Sequence, residues 1–219
     1  VVDARMGGIS GCVETGAFGR EAYILTGYLN LPKILEVTLH DGSDPRTTKV
    51  IGLHTGDPRS FAGYDELFEA FKAQLHYFVD IKVRGNNVIE RLYAEQMPAP
   101  FLSLFVEDCI ARGRDYNDGG PRYNSTYIQV TAPGSCTDSL SALKAHVFDQ
   151  KDLTMDEVLV AVDADFVDHE KTRLMLWNRS PRYGNDDPAA DDILGRLFDV
   201  VFDTIDGRPN TKGGTYHVN

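Results

Sequence analysis

Positive charge is scarce in this chain of 219 residues. It has 22 Lys and Arg residues against 33 Asp and Glu residues, which leaves a net charge of −11. A protein that binds nucleic acid neutralises phosphates with a basic surface, and docking on anionic lipid also depends on clusters of Lys and Arg. The acidic balance therefore predicts that neither a nucleic acid nor a membrane is the partner.

Cysteine and long apolar runs are also lacking. No run approaches the roughly 20 apolar residues that a membrane-spanning helix needs. The three cysteines, Cys12, Cys109 and Cys136, are odd in number and far apart, so we expect no disulfide framework and no paired CxxC zinc site. Reduced thiols are typical of a reducing compartment, and we therefore expect the protein in the cytoplasm.

The common metal and phosphate motifs are missing as well. None of the six histidines falls into an HExxH spacing, and neither GxxxxGK[ST] nor GxGxxG occurs. We therefore expect no metal ligands in this chain, and no phosphate cradle of the P-loop or Rossmann type.

Helical patterns are the strongest local signals. An apolar stripe from Leu67 to Val79, spaced by three and four residues, predicts a long helix that ends before Pro98. Thr154 and Glu157 have the spacing of a capping box, in which each side chain covers an open backbone donor of the other. Further helices are predicted over 20–29, over 102–111, over 137–148 with Thr137 as the N-cap, and over 187–205 with Asp187 as the cap and Pro188 at the first helical position.

Strand patterns are fewer. Residues 125–130 read as a strand, residues 213–219 read as a turn that leads into a strand, and residues 35–40 fit a strand or a short helix. Strands interleaved with helices indicate the α/β class, with more helix than strand.

The richest candidate chemistry lies between Met6 and Gly16, where Cys12 and Glu14 stand two residues apart among four glycines. Glycine permits backbone conformations that a Cβ forbids. A Cys-x-Glu pair can combine a sulfur reagent with a proton-transfer group. Most lone cysteines are instead small buried residues, so the spacing alone leaves both interpretations open.

The other two cysteines are weaker candidates. Cys109 lies on the apolar face of a predicted helix and is expected in the core. Cys136 stands just before a predicted helix start, where the pKa of a thiol can fall, so a functional role is an alternative to burial.

Residues 10–40 resemble the active-site cysteine loop of the glycyl radical enzymes, the family of pyruvate formate-lyase. Within that family, Gly11-Cys12-Val13-Glu14-Thr15-Gly16 is similar to the members that dehydrate trans-4-hydroxy-L-proline. Further landmarks follow in the family's order, so the resemblance covers essentially residues 1–219: Thr55–Arg59, Gly85–Asn87, Gly119–Asn124, Asp138–Lys144, Tyr183–Asp187 and Gly207–Asn210.

The resemblance implies a fold and a domain organisation. Family members are large homodimers whose core is a ten-stranded α/β barrel. Residues 1–219 are then expected to form part of that barrel, helix-rich and incomplete, with the cysteine loop at 7–16. The Arg-Val-x-Gly-aromatic motif of the radical glycine does not occur in this sequence. We therefore expect the C-terminal glycyl radical domain to lie outside it, and the chain to be an internal fragment that is inactive alone.

The resemblance also implies roles for three residues. An activating enzyme with an iron–sulfur cluster and S-adenosylmethionine installs a radical on the glycine, which oxidises the loop cysteine to a thiyl. By this resemblance Cys12 is the thiyl site, Glu14 is the acid and base, and Tyr28 lines the substrate pocket. The implied reaction is dehydration of trans-4-hydroxy-L-proline to 1-pyrroline-5-carboxylate.

Neighbouring residues separate the subfamilies. The pyruvate-cleaving members need two adjacent cysteines, whereas Cys12 is flanked by Gly11 and Val13, which argues against acyl transfer. Diol dehydratases and choline lyase share the Cys-x-Glu pair, but their glutamate is usually followed by proline rather than by Thr15. The alternatives are another glycyl radical lyase of these kinds, or a catalytically inactive truncated chain that acts only as a binding or assembly module.

Overall fold

The computed structural model describes residues 2–10 and 14–219, without the side chains of Ser10, Glu14 and Leu25. The chain divides into two compact units. The first consists of residues 1–29, 79–130 and 202–219, and the second of residues 30–78 and 131–201. Both helices and strands are present, which confirms the α/β class.

Most strand residues belong to the first unit. Strands β1 (Gly7–Ser10) and β2 (Glu14–Ala17) form an antiparallel hairpin. A sheet in the order β3-β6-β7 contains β3 (Glu21–Asn30), β6 (Tyr123–Thr131) and β7 (Tyr216–Val218), with β7 parallel to β6. The strands predicted over 125–130 and after the turn at 213 are thereby confirmed.

The helix predicted over 20–29 is wrong, because this segment is strand β3. Its Glu-Ala-Tyr-Ile-Leu run tolerates a helix, but Gly27 has a φ of 110°, which no right-handed helix contains. The segment lies beside β6, where its backbone amides pair with a strand about a hundred residues away in sequence. Tertiary pairing therefore overrode a weak local preference.

The long helix is confirmed. Helix α2 runs from Tyr64 to Gln96, just before Pro98, and Leu67, Phe71 and Val79 on its stripe are fully buried. In contrast, the single buried helix predicted over 102–111 is wrong. That region holds two single turns, α3 (Pro100–Ser103) and α4 (Cys109–Arg112), and Asp108 between them has a left-handed φ of 76°.

The second unit is mainly helical. Helix α1 (Leu31–Leu39) begins at Leu31 behind the side-chain cap Asn30, with Pro32 in its first turn. Residues 35–39 are therefore helix, and His40 is the C-cap. The predicted capping box at the start of α6 is confirmed, as is the cap of Asp187 on α8, whose carboxylate accepts from the N–H of Ala189. The remaining helices are α5 (Pro133–Leu143), which continues into a π-helical segment at Lys144–Asp149, α6 (Met155–Asp163), α7 (Glu170–Arg179) and α8 (Pro188–Ile205). Two short antiparallel strands of two residues each, β4 (Ser43–Asp44) and β5 (Lys49–Val50), form a small hairpin.

Two details of these helices differ from expectation. Helix α5 starts at Pro133 with Ala132 at the cap, so Thr137 is a buried residue inside the helix rather than its N-cap. Proline is favoured at the first helical position, and the helix starts at Pro133, four residues before Thr137. Helix α7 was not predicted, because its apolar residues follow no clear stripe and none of them is buried.

Candidate active site

Glu14, the acidic residue of the Cys-x-Glu motif, is the first residue of β2 in the β1–β2 hairpin. Ser10 and Glu14 are the last pair of its register, and Gly8 faces Gly16 two pairs further along. A Cβ on Gly8 would lie 2.5 Å from the Phe18 ring. Gly8 therefore leaves room for the Phe18 ring to lie against the hairpin backbone.

The three predicted site residues differ in what the structure describes of them. Cys12 lies outside the described residues, and of Glu14 only the backbone, at the start of β2, is described. Tyr28 lies in β3 with 64% of its surface exposed. The roles of these three residues stay predictions.

The other two cysteines are buried free thiols. Burial raises the pKa of the Cys136 thiol to about 12 and also raises the pKa of Cys109. The alternative that Cys136 has a lowered pKa at a helix start is wrong, since the helix begins at Pro133 and the thiol is inside it. Both cysteines belong to the core, as expected for Cys109.

An ionic cluster surrounds the base of the hairpin. Asp3, on the turn before β1, binds the guanidinium of Arg20 between β2 and β3, and it lies 3.2 Å from Nη1 of Arg122. The Tyr123 hydroxyl donates to Oδ2 of Asp3 over 2.6 Å. Glu107 lies 3.0 Å from both guanidinium groups. The cluster thus joins the residues on either side of the hairpin to the start of β6.

These contacts shift the pKa values of the cluster. The hydrogen bond from Tyr123, together with the guanidinium of Arg20, holds the pKa of Asp3 below its usual range. The hydrogen bond from Arg122 does the same to the pKa of Asp108. The carboxylates therefore stay ionised to lower pH than free side chains do.

A second set of contacts holds β2 from the side. Oε2 of Glu21 accepts a hydrogen bond from the backbone N–H of Ala17 over 2.9 Å. The Tyr127 hydroxyl lies 3.4 Å from Oε1 of Glu21 and 3.5 Å from the carbonyl oxygen of Thr15. No motif singles out Glu21 or Tyr127 in the sequence, and the sequence analysis missed both.

Aromatic rings from three neighbouring strands support this contact. Tyr23 on β3 stacks on Tyr127 of β6 with ring centroids 4.4 Å apart, and the ring of His217 on β7 lies 5.7 Å from that of Tyr127. Asp206 Oδ1 lies 2.8 Å from Nδ1 of His217. Cross-strand aromatic pairs of this kind stabilise a sheet and fix ring positions.

The strand that carries Tyr28 is fixed two residues earlier. The Thr26 hydroxyl donates to the carbonyl of Tyr127 over 3.0 Å and accepts from the amide of Asn86 over 2.7 Å. Lys82 Nζ donates to the Thr26 carbonyl over 3.2 Å. Helix α2 and β6 therefore both hold β3 immediately before Gly27 and Tyr28.

A cavity of about 430 Å³ lies in the same unit beside β3. Its wall includes a buried ion pair between Glu90 and Lys212, and polar and aromatic side chains dominate the rest. Within the described ranges no group of three or more His, Cys, Asp or Glu side chains is placed to hold a metal ion. The cavity is lined by Tyr23, Ile24, Thr26, Asn86, Ile89, Glu90, Tyr93, Tyr116, Asn117 and Lys212.

Two pairs of the segments that resemble the glycyl radical enzymes are in contact in the structure. The Asn210 amide donates to the carbonyl of Asn124 over 2.7 Å, which joins 207–210 to 119–124. Asp138 accepts from the backbone N–H of Tyr183 over 2.8 Å, which joins 138–144 to 183–187.

Across the part of the chain that the structure describes, no helix has both the length and the apolar surface needed to cross a bilayer.

Comparison with known proteins identifies the family. The sequence profile described as pyruvate formate lyase-like matches residues 1–219. The chain belongs to this family. The pyruvate formate lyase-like assignment agrees with the resemblance of the cysteine loop to glycyl radical enzymes, which is confirmed.

Individual members of the pyruvate formate lyase-like family are similar over the whole chain. Trans-4-hydroxy-L-proline dehydratase of Clostridioides difficile is 54% identical over 219 residues, which is 100% of this chain and 28% of that protein. (2S)-3-sulfopropanediol dehydratase of Klebsiella oxytoca is 33% identical over 216 residues, or 98% of this chain and 26% of that protein.

A solved structure has the same fold. The crystal structure of hydroxyproline dehydratase from Clostridioides difficile, with trans-4-hydroxy-L-proline bound, superposes with a TM-score of 0.96 at 55% identity. The match covers 99% of this chain and 27% of that chain. The α/β barrel expected from the resemblance is therefore the fold of the relatives, and this chain spans somewhat over a quarter of their length.

Proposed function

We propose that a polypeptide carrying this chain dehydrates trans-4-hydroxy-L-proline to 1-pyrroline-5-carboxylate as a glycyl radical enzyme. The observation that carries the proposal is the 54% identity to trans-4-hydroxy-L-proline dehydratase over all 219 residues. Identity to the sulfopropanediol dehydratase is only 33%. Thr15 and Gly16 after Glu14 support the same choice, because they are typical of the hydroxyproline subfamily.

The hairpin that contains Glu14 is closely packed around its paired glycines. Gly8 and Gly16 face each other, and neither has room for a Cβ without displacing Phe18 or crowding Glu21. A glycyl radical supplies the unpaired electron that converts the Cys12 thiol to a thiyl. We propose that an activating enzyme with S-adenosylmethionine and an iron–sulfur cluster installs it on a glycine outside this chain.

Cys12 and Glu14 then carry the chemistry. The sulfur of Cys12 takes a hydrogen atom from C5 of the ring, so the C5–H bond breaks as the S–H bond forms. Glu14 gives a proton to the C4 hydroxyl, and the C4–O bond breaks to release water. The ring nitrogen loses its proton as the C=N bond forms, which balances the proton given to the hydroxyl. Cys12 finally returns the hydrogen atom to C4.

Tyr28 is the proposed substrate contact. Its exposed ring stands on a strand held rigidly at Thr26, and a rigid element positions a binding side chain better than a loop does. The enzyme is proposed to act as a homodimer in the cytoplasm, where a reducing environment keeps the Cys12 thiol available.

The test is product analysis with the full-length, anaerobically activated protein. Trans-4-hydroxy-L-proline, (2S)-3-sulfopropanediol, choline, glycerol and 1,2-propanediol are supplied separately, and products are identified by mass spectrometry. We expect 1-pyrroline-5-carboxylate from hydroxyproline and no turnover of the other four. Turnover of another substrate, with hydroxyproline untouched, would reassign the protein to a different glycyl radical lyase. A protein on which no glycyl radical can be installed, and which turns over none of them, would favour the inactive binding or assembly module.

A further inference from the structure

We propose that Glu21 and Tyr127 are positioning residues that hold strand β2, and with it Cys12 and Glu14, in the geometry of reaction. The inference rests on the proposed function and adds two residues that the cysteine motif does not contain. Both act through the backbone of β2 and not by contact with substrate.

The first contact is the bond from Glu21 to Ala17. Oε2 of Glu21 accepts the Ala17 backbone N–H over 2.9 Å, at the end of β2 that lies three residues from Glu14. A hydrogen bond from a backbone N–H to a carboxylate is about twice as strong as one to a neutral acceptor. An ideal Cβ on Gly16 would lie 3.1 Å from the same oxygen, so the carboxylate also lies close against the β2 backbone.

The second contact brings in Tyr127 from β6. Its hydroxyl lies within reach of both the other Glu21 oxygen, at 3.4 Å, and the carbonyl of Thr15, at 3.5 Å. Thr15 directly follows Glu14 in the chain. Strand β2 is therefore held at Ala17 by Glu21 and at Thr15 by Tyr127.

The sheet fixes the tyrosine in turn. The Tyr127 ring lies between the stacked ring of Tyr23 and the ring of His217, its register partner on β7. The two nitrogens of His217 are bound by Asp206, at 2.8 Å, and by the Thr215 hydroxyl, at 3.1 Å. The position of β2 is thereby tied to the three-stranded sheet and does not depend on the hairpin's own hydrogen bonds alone.

Such a tie matters for hydrogen-atom transfer because the reacting atoms must approach within about 3–3.5 Å, and a displacement of about 1 Å can cost roughly a hundredfold in rate. A hairpin of four residues a strand is marginal without support from neighbouring elements. Loss of the tie should therefore lower the rate of the chemical step more than it lowers global stability.

The experiment uses the full-length, activated protein with three variants: Glu21→Ala, Glu21→Gln and Tyr127→Phe. We expect kcat per glycyl radical to fall about tenfold or more in Glu21→Ala, with KM for hydroxyproline and radical content by electron paramagnetic resonance within about twofold. Glu21→Gln keeps an acceptor for the Ala17 N–H and should recover most of the activity. Tyr127→Phe removes both hydroxyl contacts but keeps the bond from Ala17 to Glu21, so its kcat should fall between those of the two Glu21 variants. It also covers the case in which Glu21→Ala fails to fold.

Matched controls come from exposed positions of the second unit. Glu170→Ala and Tyr183→Phe make the same chemical changes at positions outside the hairpin and the sheet, and kcat should stay unchanged. A structural defect would lower the melting temperature and the radical content together, whereas a positioning role lowers kcat alone. A loss of kcat in proportion to radical content would contradict the proposal.

Hydrogen exchange tests the same contact without any substrate. Mass spectrometry of peptides that span residues 7–18 should show exchange at least about threefold faster in Glu21→Ala than in the parent, and unchanged exchange in Glu170→Ala, because the Ala17 amide loses its acceptor. Unchanged exchange at 7–18 in Glu21→Ala would contradict the positioning role of Glu21. This readout remains decisive even if hydroxyproline is not the substrate. A failure of the proposed function and a failure of the positioning proposal can therefore be told apart.

Discussion

Nζ of Lys212 lies 2.9 Å from Oε1 of Glu90 in the interior of the first unit, where the lysine side chain is 1% exposed and the glutamate 3%. Thr126 donates its hydroxyl to the same oxygen over 2.5 Å, and Thr211 donates both its N–H and its hydroxyl to the other oxygen. Burial raises the pKa of Glu90, but the Lys212 ammonium and these donors together hold it below its usual value. The pair joins helix α2 to the turn that precedes β7.

Removal of one partner of this pair should be strongly destabilising. Lys212→Met or Glu90→Gln leaves a buried charge without its counter-ion, which costs about 3–5 kcal/mol. The double variant Glu90→Leu/Lys212→Met removes both charges and should cost clearly less than the sum of the single changes. Urea unfolding measures the free energy of unfolding of all variants. The control is Glu170→Gln, which removes one partner of an exposed ion pair and should cost less than about 1 kcal/mol. Additive costs would show that the two charges are not coupled.

Cys12→Ser should abolish turnover while the glycyl radical remains detectable. The O–H bond of serine is too strong for a glycyl radical to break, so the radical is not passed to the side chain. Electron paramagnetic resonance measures the radical, and product analysis measures turnover. Cys136→Ser is the matched control, since its thiol is buried in the core with a pKa of about 12. Activity in the Cys12→Ser variant would remove this residue from the mechanism.

Two glycines should respond in opposite directions to the same substitution. A Cβ on Gly214 would lie 1.9 Å from the carbonyl oxygen of Asn124, so Gly214→Ala must displace the turn before β7 and destabilise the chain by more than about 1 kcal/mol. Gly85 lies inside helix α2 with nothing within 4 Å of an added Cβ. Gly85→Ala should therefore stabilise by about 0.5–1 kcal/mol, since alanine favours the helix. Thermal unfolding measures both, and a neutral Gly214→Ala would contradict the close approach of the two backbones.

The ionic cluster at the base of the hairpin should make the free energy of unfolding depend on pH in the acidic range. Asp3 and Asp108 have folded pKa values below the ordinary 3.8, so their contribution is fully present above that pH. It is lost as the pH falls through the lower folded values. We expect the free energy of unfolding to decrease as the pH falls from about 4 to about 2, and to decrease less in Arg122→Gln, which removes a partner shared by both carboxylates. The control is Arg179→Gln, an exposed change of equal charge; an identical pH dependence in the two variants would contradict this assignment.

Local signals predicted much of the secondary structure. The apolar stripe of α2, the capping box at Thr154 and Glu157, and the Asp187-Pro188 start of α8 all depend on neighbours within one or two turns. Such signals act within a single element, so they survive in the folded chain. The cysteine loop was likewise identified from consecutive residues, and the family followed from it.

The candidate site could be predicted only in part. The motif indicated Cys12 and Glu14, but Glu21 and Tyr127 lie 106 residues apart in sequence, and nothing local connects them. The same limit explains the wrong helix over 20–29. Its residues tolerate either conformation, and the choice came from pairing with β6, which no window around the segment contains.

The sequence by itself determined the helices with caps or continuous stripes, the acidic character of the chain and the cysteine motif that indicates its family. Only the tertiary structure decided that residues 21–30 form a strand, that Cys136 is a core residue and that Lys212 is buried against Glu90, 122 residues away. The physical reason is that caps and periodicity are satisfied within an element. Strand pairing, burial and ion pairing depend on partners that only the fold brings near.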